Sequence, residues 1–229
     1  MSIISWNCQG MGPPWKLQFL QDVIRQQRPA FVFLCETLSN KKKMEWVRTR
    51  IGFQGMIVVE AKGRSGGLSL LWKDQDQVPL LSVSDNHIDV CVSVDGVQAW
   101  RLKGFYGEPD RSKRRRTWEL LKNLSRDSNL SWCTIGDMNN ILSKTDKKGG
   151  DSYPQWLIEG FNETLVEAGL KDIDLYGHAF TWERGRSTDS WIEIRLDRAM
   201  ATDTWRMLAL SHGWHSSLAQ LMVASTEKS

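Results

Sequence analysis

The stretch Trp132-Cys-Thr-Ile-Gly-Asp-Met-Asn139 decides the fold, because it is an apolar run that ends in a carboxylate and an amide. Its apolar part predicts a buried β-strand, and its polar end predicts a turn at the edge of a sheet. The pattern recurs where 31–35 is followed by Glu36 and where 3–6 is followed by Asn7. Polar side chains at strand ends are a common way to build a site on a rigid sheet.

The strands and helices predicted along the rest of the chain indicate an α+β fold. Apolar residues at helical spacing predict helices at 15–27, 40–50, 110–125 and 154–168. Further strands are predicted at 55–60, 68–72, 78–83, 88–94 and 97–106, with a hairpin turn at Asp95-Gly96. Runs of adjacent strands mixed with helices favour a sandwich over a regular alternation of strand and helix.

The composition is that of an ordinary globular protein, since 41% of the 229 residues are hydrophobic and 25% are charged. No apolar run is long enough to span a bilayer, so we expect no membrane partner. The N-terminal residues lack the basic and apolar regions of a secretory signal. Without repeats or a linker, the sequence predicts a single domain at 1–223 and a short C-terminal tail at 224–229.

The four cysteines lie far apart in the sequence and form no CxxC pair: Cys8, Cys35, Cys91 and Cys133. This spacing argues against a structural zinc site and against a disulfide framework, so no disulfide-linked partner is expected. We therefore expect an intracellular protein, in the nucleus or the cytoplasm.

Basic residues are concentrated in one run, Arg111-Ser-Lys-Arg-Arg-Arg116, although the net charge is only +3. Five cations in six residues repel one another unless an anion lies nearby. The run therefore predicts contact with nucleic acid, and the alternative is a solvated helix face. The candidate nucleic-acid-binding residues are Arg111, Lys113, Arg114, Arg115 and Arg116.

Six short motifs occur in an order that resembles the endonuclease/exonuclease/phosphatase superfamily. They are Trp6-Asn-Cys-Gln-Gly10, Cys35-Glu-Thr37, Gly104-Phe-Tyr-Gly107, Gly136-Asp-Met-Asn139, Phe180-Thr-Trp182 and Arg195-Leu-Asp-Arg198. Within that superfamily the chain resembles the AP-endonuclease-like domain of plant LINE (non-LTR) retrotransposons, from Ile3 to about Trp205. The resemblance implies a four-layered sandwich of two packed mixed β-sheets flanked by helices. It also implies nicking of DNA with a divalent metal, Mg²⁺ or alternatively Mn²⁺.

The resemblance also implies roles for individual residues. Glu36 would hold Mg²⁺, since a hard cation prefers carboxylate oxygen and retained waters. Asp137 would accept the proton of the attacking water, with Asn139 orienting the reacting group. Asn7 would help to position metal and phosphate, and Tyr106 would donate a hydrogen bond to a phosphate oxygen. Trp182 is interpreted as a packing residue at the rim of this site.

Asp197 would orient a histidine in this family, and here the chain departs from the family pattern. The family ends in a Ser-Asp-His triplet, but the corresponding stretch, 216–223, contains neither acid nor histidine. We expect either that Arg195 or Arg198 neutralises Asp197, which we favour, or that His215 acts as a substitute acid. Gln9 also stands where many relatives have an acidic metal ligand.

Three hypotheses for the function follow from the resemblance and the departures. The first is a Mg²⁺-dependent DNA endonuclease, whose activity would be weak because loss of an acid group costs about 10²–10⁴-fold. The second is a domesticated or decayed copy that binds nucleic acid without cutting it. The third is a phosphatase of the same superfamily acting on a small phosphate ester or a lipid, which the basic run and the retroelement-like motifs disfavour.

Overall fold

Two β-sheets packed face to face form the centre of the computed structural model, and helices cover both outer faces. The structure describes residues 1–63, 65–74, 78–173 and 179–214, together with the backbone of 220–221. The helices are α1 (Pro14–Gln27), α2 (Lys41–Ile51), α3 (Arg114–Arg126), α4 (Gln155–Glu167) and α5 (Asp203–Ser211), with 3₁₀ turns at Arg111–Lys113 and Lys144–Asp146. The strands are β1 (Ile3–Asn7), β2 (Phe31–Cys35), β3 (Gly55–Val59), β4 (Leu68–Trp72), β5 (Leu80–Ser84), β6 (His87–Val92), β7 (Trp100–Tyr106), β8 (Trp132–Asp137), β9 (Lys147–Lys148), β10 (Lys171–Asp172), β11 (Trp182–Arg184), β12 (Ile192–Ile194), β13 (Asp197–Ala201) and β14 (Gln220–Leu221).

The first sheet has the strand order β14-β1-β2-β4-β3, and α1 and α2 cover its outer face. β1 runs parallel to both β14 and β2, while β4 is antiparallel to its two neighbours. Proline in the first turn suits the start of α1. The Asn40 side chain accepts a hydrogen bond from the backbone N–H of Lys43 and caps α2, which ends at Gly52 in the left-handed conformation.

The second sheet has the strand order β10-β13-β8-β7-β6-β5, and α3 and α4 pack on its outer face. Only β7 and β8 are parallel, and the other pairs are antiparallel. Inward-facing side chains of both sheets, including Phe33, Leu70, Leu102 and Ile135, fill the layer between them. A third, small sheet joins β11, β12 and β9 beside this sandwich.

Three buried charged side chains lie together on the outer side of the second sheet, where β6 and β7 pair. Asp89 forms salt bridges with Arg101 and with Lys103, whose Nζ atom is 3.4 Å from the carboxylate. The Lys103 ammonium also lies 4.2 Å from the centre of the Trp132 ring. Burial lowers the pKa of Lys103 to about 8, so this ammonium is held at a cost in free energy.

The predicted α+β sandwich of two mixed sheets flanked by helices is confirmed, and the strand bounds shift by only a few residues. Turn formation at Asp95-Gly96 is also confirmed, since Val97 N–H donates to the Val94 carbonyl between β6 and β7. The sequence missed β9 to β13 and α5. Among the missed strands the longest, β13, reads Asp-Arg-Ala-Met-Ala and contains no β-branched residue, so its pairing with β8 is what makes it a strand.

The extent of the predicted single domain stays a prediction, and the predicted tail at 224–229 lies outside the described residues. In the described part of the chain, no helix is long and apolar enough to cross a membrane.

Candidate active site

Five of the polar residues singled out in the sequence lie at the same end of the two sheets. Asn7 ends β1, Glu36 directly follows β2, and Tyr106 and Asp137 end the parallel strands β7 and β8. Asp197 begins β13, which is antiparallel to β8, so its partner in the register is Asp137. The ends of strands from both sheets therefore bring these residues together.

Strand periodicity explains why these side chains point between the sheets. Side chains alternate between the two faces of a strand, so Asp137 shares a face with Cys133 and Ile135, which belong to the inner core. Asn7 shares a face in the same way with Ile3, another residue of that core. The polar residues thus continue the inner faces beyond the point where the apolar residues end.

The Asn7 side chain links the two sheets through the carboxylates. Its amide Nδ2 donates to Glu36 Oε1 at 3.1 Å and to Asp137 Oδ2 at 2.9 Å. The Tyr106 hydroxyl donates to the same Glu36 oxygen at 2.6 Å. Four side chains that lie far apart in the sequence therefore form one hydrogen-bonded group.

The backbone around the site adopts conformations that few residue types favour. Glu36 has φ of 51°, in the left-handed region that a residue with a side chain rarely occupies. Gly107 has no room for a side chain, since a Cβ atom there would lie 2.1 Å from the Met138 carbonyl oxygen. This close approach allows the Gly107 N–H to donate to the Asp137 carbonyl at 2.7 Å.

Asn139 supports Asp137 mainly through its backbone. Its N–H donates to Asp137 Oδ1 at 2.8 Å, and its side-chain amide donates to the Gly107 carbonyl at 2.9 Å. We expected Asn139 to orient the reacting group, and in the structure its backbone N–H holds the Asp137 carboxylate while its side chain fixes the neighbouring turn.

The prediction that Arg195 or Arg198 neutralises Asp197 is wrong. The Arg198 guanidinium, almost completely buried, pairs with Asp146 and with Asp172, and Arg195 also pairs with Asp172. Arg198 is on the other side of β13 from the Asp197 carboxylate, because adjacent residues of a strand face opposite ways. Arg195 precedes β13, and its guanidinium is paired with Asp172. The two arginines join β13 to β10 and to the 3₁₀ turn that ends at Asp146 instead.

Asp197 has one carboxylate oxygen, Oδ1, that is buried without a hydrogen-bond partner among the described residues. The Thr181 hydroxyl accepts from the backbone N–H groups of Asp197 and Leu196, each at 2.9 Å, and so fixes the start of β13. The proposed substitute acid, His215, lies outside the described residues, as does most of the stretch 216–223. Its predicted role therefore stays a prediction.

Burial and like charges shift the pKa values of the acidic groups. Burial raises the pKa of Asp137 to about 6, and the Glu36 carboxylate acts in the same direction. Burial, with Asp137 and Glu36 nearby, raises the pKa of Asp197 well above its ordinary value. The pKa of Tyr106 is raised by burial and by the Glu36 carboxylate, so its phenol stays protonated at neutral pH.

The donor set fits a divalent cation that keeps most of its water. Within the described residues, no group of three or more His, Cys, Asp or Glu side chains is arranged to enclose a metal ion. Mg²⁺, however, is typically held by one or two carboxylates and retains several waters. The Glu36 carboxylate and the side-chain amide oxygen of Asn7 are oxygen ligands of this kind. Asp197 Oδ1 is buried without a hydrogen-bond partner among the described residues.

The basic run is divided between buried and exposed residues. Arg114 is 5% exposed, and its guanidinium donates to the Tyr153 hydroxyl and to the Glu108 and Pro109 carbonyls. It is therefore a structural residue, and its predicted contact with nucleic acid is wrong. The side chains of Arg111, Lys113, Arg115 and Arg116 are exposed, as the prediction requires.

Lys16, which was not predicted from the sequence, fixes the loop after Asn7. Its Nζ donates to the Cys8 carbonyl at 2.6 Å and to the Gln9 carbonyl at 3.0 Å, and the side chain is buried. The signal was present, because Lys16 lies one and two turns before Leu20 and Val23 on the buried stripe of α1. Trp182 packs against the core between the second sheet and its helices, which agrees with its interpretation as a packing residue.

Solved structures share this fold at low sequence identity. The endonuclease domain of TRAS1, a telomere-specific non-LTR retrotransposon, is 18% identical with a TM-score of 0.64, covering 88% of this chain and 85% of that one. The 3′ phosphatase NExo from Neisseria, bound to a product DNA hairpin, is 17% identical with a TM-score of 0.66, covering 91% and 88%. An AP endonuclease from Archaeoglobus fulgidus is 16% identical with a TM-score of 0.65, covering 89% and 87%.

Comparison with curated protein sequences returns no significant match. The family model of the endonuclease/exonuclease/phosphatase family, in contrast, matches residues 4–218. That range contains all six motifs and every residue of the site described above. The chain therefore belongs to the endonuclease/exonuclease/phosphatase family.

Proposed function

We propose that the protein is a Mg²⁺-dependent phosphodiester hydrolase that nicks DNA, like the endonuclease of LINE retrotransposons. Membership of a family of nucleases and phosphatases supports hydrolysis of a phosphate ester. The observation that carries the proposal is the single Asn7 amide that joins the Glu36 and Asp137 carboxylates across the two sheets. Structural similarity to a retrotransposon endonuclease domain and to an enzyme bound to a DNA hairpin supports DNA as the substrate.

In this proposal Asp137 is the general base. Its two oxygens are oriented by Asn7 and by the Asn139 N–H, and a pKa of about 6 leaves it ionised but basic at neutral pH. It would take the proton of the water that attacks the phosphorus atom. Tyr106 keeps its proton and would donate a hydrogen bond to a phosphate oxygen, giving up its contact with Glu36 when DNA binds.

The Glu36 carboxylate and the side-chain amide oxygen of Asn7 would hold Mg²⁺. When bound, the ion supplies positive charge that stabilises the charge developing on the phosphate and on the leaving oxygen. The orphan oxygen of Asp197 would orient a group that donates to the phosphate, and His215 is the candidate donor.

The alternative is a protein that binds nucleic acid without cutting it. Asp197 favours this alternative, since its Oδ1 atom meets no donor in the described part of the chain. Without a positioned acid, the phosphodiester would be held but cleaved about 10²–10⁴-fold more slowly.

Nicking of supercoiled plasmid, with Mg²⁺ or Mn²⁺ against EDTA, tests the proposal. Nicking should require the metal, and Glu36→Gln and Asp137→Asn should each abolish it. Glu45→Gln, which alters an exposed carboxylate on α2, is the matched control and should nick like the parent.

A gel-shift assay with the same DNA separates the alternatives. A shift without nicking would support the non-cutting protein, and nicking that persists in Glu36→Gln would refute the assigned metal ligand. Calorimetry with Mg²⁺ gives an independent readout, because binding should be lost in Glu36→Gln and kept in Glu45→Gln.

A further inference from the structure

A tryptophan near the basic run is both exposed and rigidly supported. Trp156 lies in the first turn of α4, and 48% of its surface is accessible. Its ring packs edge-on against Trp118, with the ring centres 6.4 Å apart. Trp118 is buried, and Gly160 lets it lie against α4, since a Cβ at that position would be 2.5 Å from the Trp118 ring.

One cation from another helix lies over this tryptophan, and a second lies over Tyr153, three residues earlier in the chain. The Arg115 guanidinium lies 5.9 Å from the centre of the Trp156 ring, and the Arg111 guanidinium lies 5.1 Å from the Tyr153 ring. In the described part of the chain neither arginine forms a salt bridge, whereas Lys113 pairs with Asp110. An exposed indole beside unpaired guanidinium groups presents a ring face and positive charge together, as surfaces that bind single strands do.

Hydrogen bonds connect Tyr153, which lies next to this basic and aromatic group, to the candidate active site. Arg114 donates to the Tyr153 hydroxyl and to the Glu108 carbonyl, and Glu108 follows Gly107 in the chain. The Gly107 N–H in turn donates to the Asp137 carbonyl. The Arg114 charge is close enough to Asp137 to lower its pKa against the effect of burial. Tyr153, three residues before Trp156, is thus joined through Arg114 to the segment that carries the site.

Another exposed tryptophan shows what is particular to Trp156. Trp46 is 42% exposed, and Lys43 and Arg50 lie over its ring. Those cations are three residues before and four residues after Trp46 on α2, which is the ordinary arrangement on a solvated helix face. Trp156, in contrast, meets a cation from another helix and rests on a second, buried tryptophan.

We propose that Trp156 is a stacking site for an unpaired base of DNA, held next to the nicked phosphodiester. Trp118 supports the ring, and Arg111 and Arg115 bind the flanking phosphates. The proposal rests on the proposed function, since it assumes that DNA is bound at the carboxylate site. It adds a preference for DNA in which a base near the cut is already unpaired.

Fluorescence anisotropy in EDTA tests this, with a labelled duplex that is either fully paired or carries a single-stranded gap of a few nucleotides. Trp156→Ala should weaken binding of the gapped DNA about tenfold or more, as loss of one stacked base does. Binding of the paired duplex should change less than twofold. Trp156→Phe keeps an aromatic face and should retain most of the affinity. Trp46→Ala is the matched control and should bind both DNAs like the parent.

The outcomes distinguish this proposal from the proposed function. If the parent nicks plasmid and binds both DNAs, but Trp156→Ala binds gapped DNA equally well, the stacking site is refuted and the nuclease stands. An equal loss in Trp46→Ala would also refute it. A parent that neither binds nor nicks DNA would refute the proposed function itself. Thermal unfolding of each variant shows whether a loss of binding reflects loss of the fold.

Discussion

Replacing Asp137 by Asn should make the metal-free protein more stable at neutral pH, although it should abolish nicking. Burial raises the pKa of Asp137 from its ordinary value of 3.8 to about 6. At about 1.4 kcal/mol per pKa unit, the ionised carboxylate destabilises the folded protein by about 3 kcal/mol at neutral pH. Asn is of similar shape and carries no charge, so the substitution removes this cost.

One hydrogen bond is lost in exchange. An Asn side chain can still accept from the Asn139 N–H through its carbonyl oxygen, but its amide nitrogen cannot accept from Asn7 Nδ2. Such a loss costs about 1 kcal/mol. The net expectation is a gain of about 2 kcal/mol in the free energy of unfolding at pH 7.5.

The sign of this effect depends on pH. Between pH 3.8 and about 6 the folded protein binds more protons at Asp137 than the unfolded chain does. The contribution of this group to stability is therefore fully present below pH 3.8 and is lost as the pH rises through about 6. Near pH 4 the parent carboxyl is protonated when folded, so Asp137→Asn gains little there and is less stable than the parent by about 1 kcal/mol.

Urea unfolding in EDTA at pH 7.5 and near pH 4 measures both differences. Asp95→Asn, which alters an exposed carboxylate in the turn between β6 and β7, is the control and should change little at either pH. A difference between Asp137→Asn and the parent that is the same at both pH values would refute the reasoning. Adding Mg²⁺ at 100 times its dissociation constant should stabilise the parent by about 2.7 kcal/mol.

Three further predictions concern other parts of the chain. Burial lowers the pKa of Lys103 to about 8, so between about pH 8 and 10.5 the unfolded chain binds more protons at this group than the folded protein does, and the stability attributable to it rises with pH. Lys103→Met should therefore stabilise the protein at pH 7 by up to about 3 kcal/mol. Urea unfolding should show this gain disappearing towards pH 10. Arg114→Lys should lower the free energy of unfolding by about 1–3 kcal/mol, because the buried hydrogen bonds of the guanidinium to Tyr153, Glu108 and Pro109 cannot all be made by an ammonium. Unchanged stability in this variant would contradict the structural role of Arg114. The double substitution of Arg115 and Arg116 by Ala should leave stability unchanged and reduce the salt slope of DNA binding by about two. His215→Ala should lower the nicking rate at least 100-fold if this histidine is the substitute acid, and a parental rate in plasmid nicking would exclude it.

The sequence predicted which polar residues follow the buried strands, because strand ends carry a simple pattern. An apolar run followed by a carboxylate or amide fixed the positions of Asn7, Glu36 and Asp137 before any contact was known. The carboxyl ends of parallel strands lie side by side, so β1 and β2 bring Asn7 next to Glu36, and β7 and β8 bring Tyr106 next to Asp137.

The partners of charged residues were harder to predict, since they depend on pairing between distant segments. Arg195 and Arg198 were assigned to Asp197 because they are its neighbours in the sequence. In the structure they pair with Asp172, on β10, which was not predicted as a strand. The exposed position of Trp156 could not be predicted from composition either, because its ring is supported by Trp118 on another helix.

The register of β8 and β13 connects the packing of the core to the chemistry of the site. Ile135 lies opposite Ala199 in the inner core, and two residues further along Asp137 lies opposite Asp197. A slip of one residue would turn every side chain of β13 to the other face, which would move Ala199 out of the inner core and bury Arg198 between the sheets. The pairing of Ala199 with Ile135 in the core thus holds Asp137 and Asp197 together, although two carboxylates repel each other. The packing of the core supplies the free energy that keeps both carboxyl groups buried, so removing the Asp137 charge should stabilise the fold, whereas a slip in register would disrupt both the core and the site.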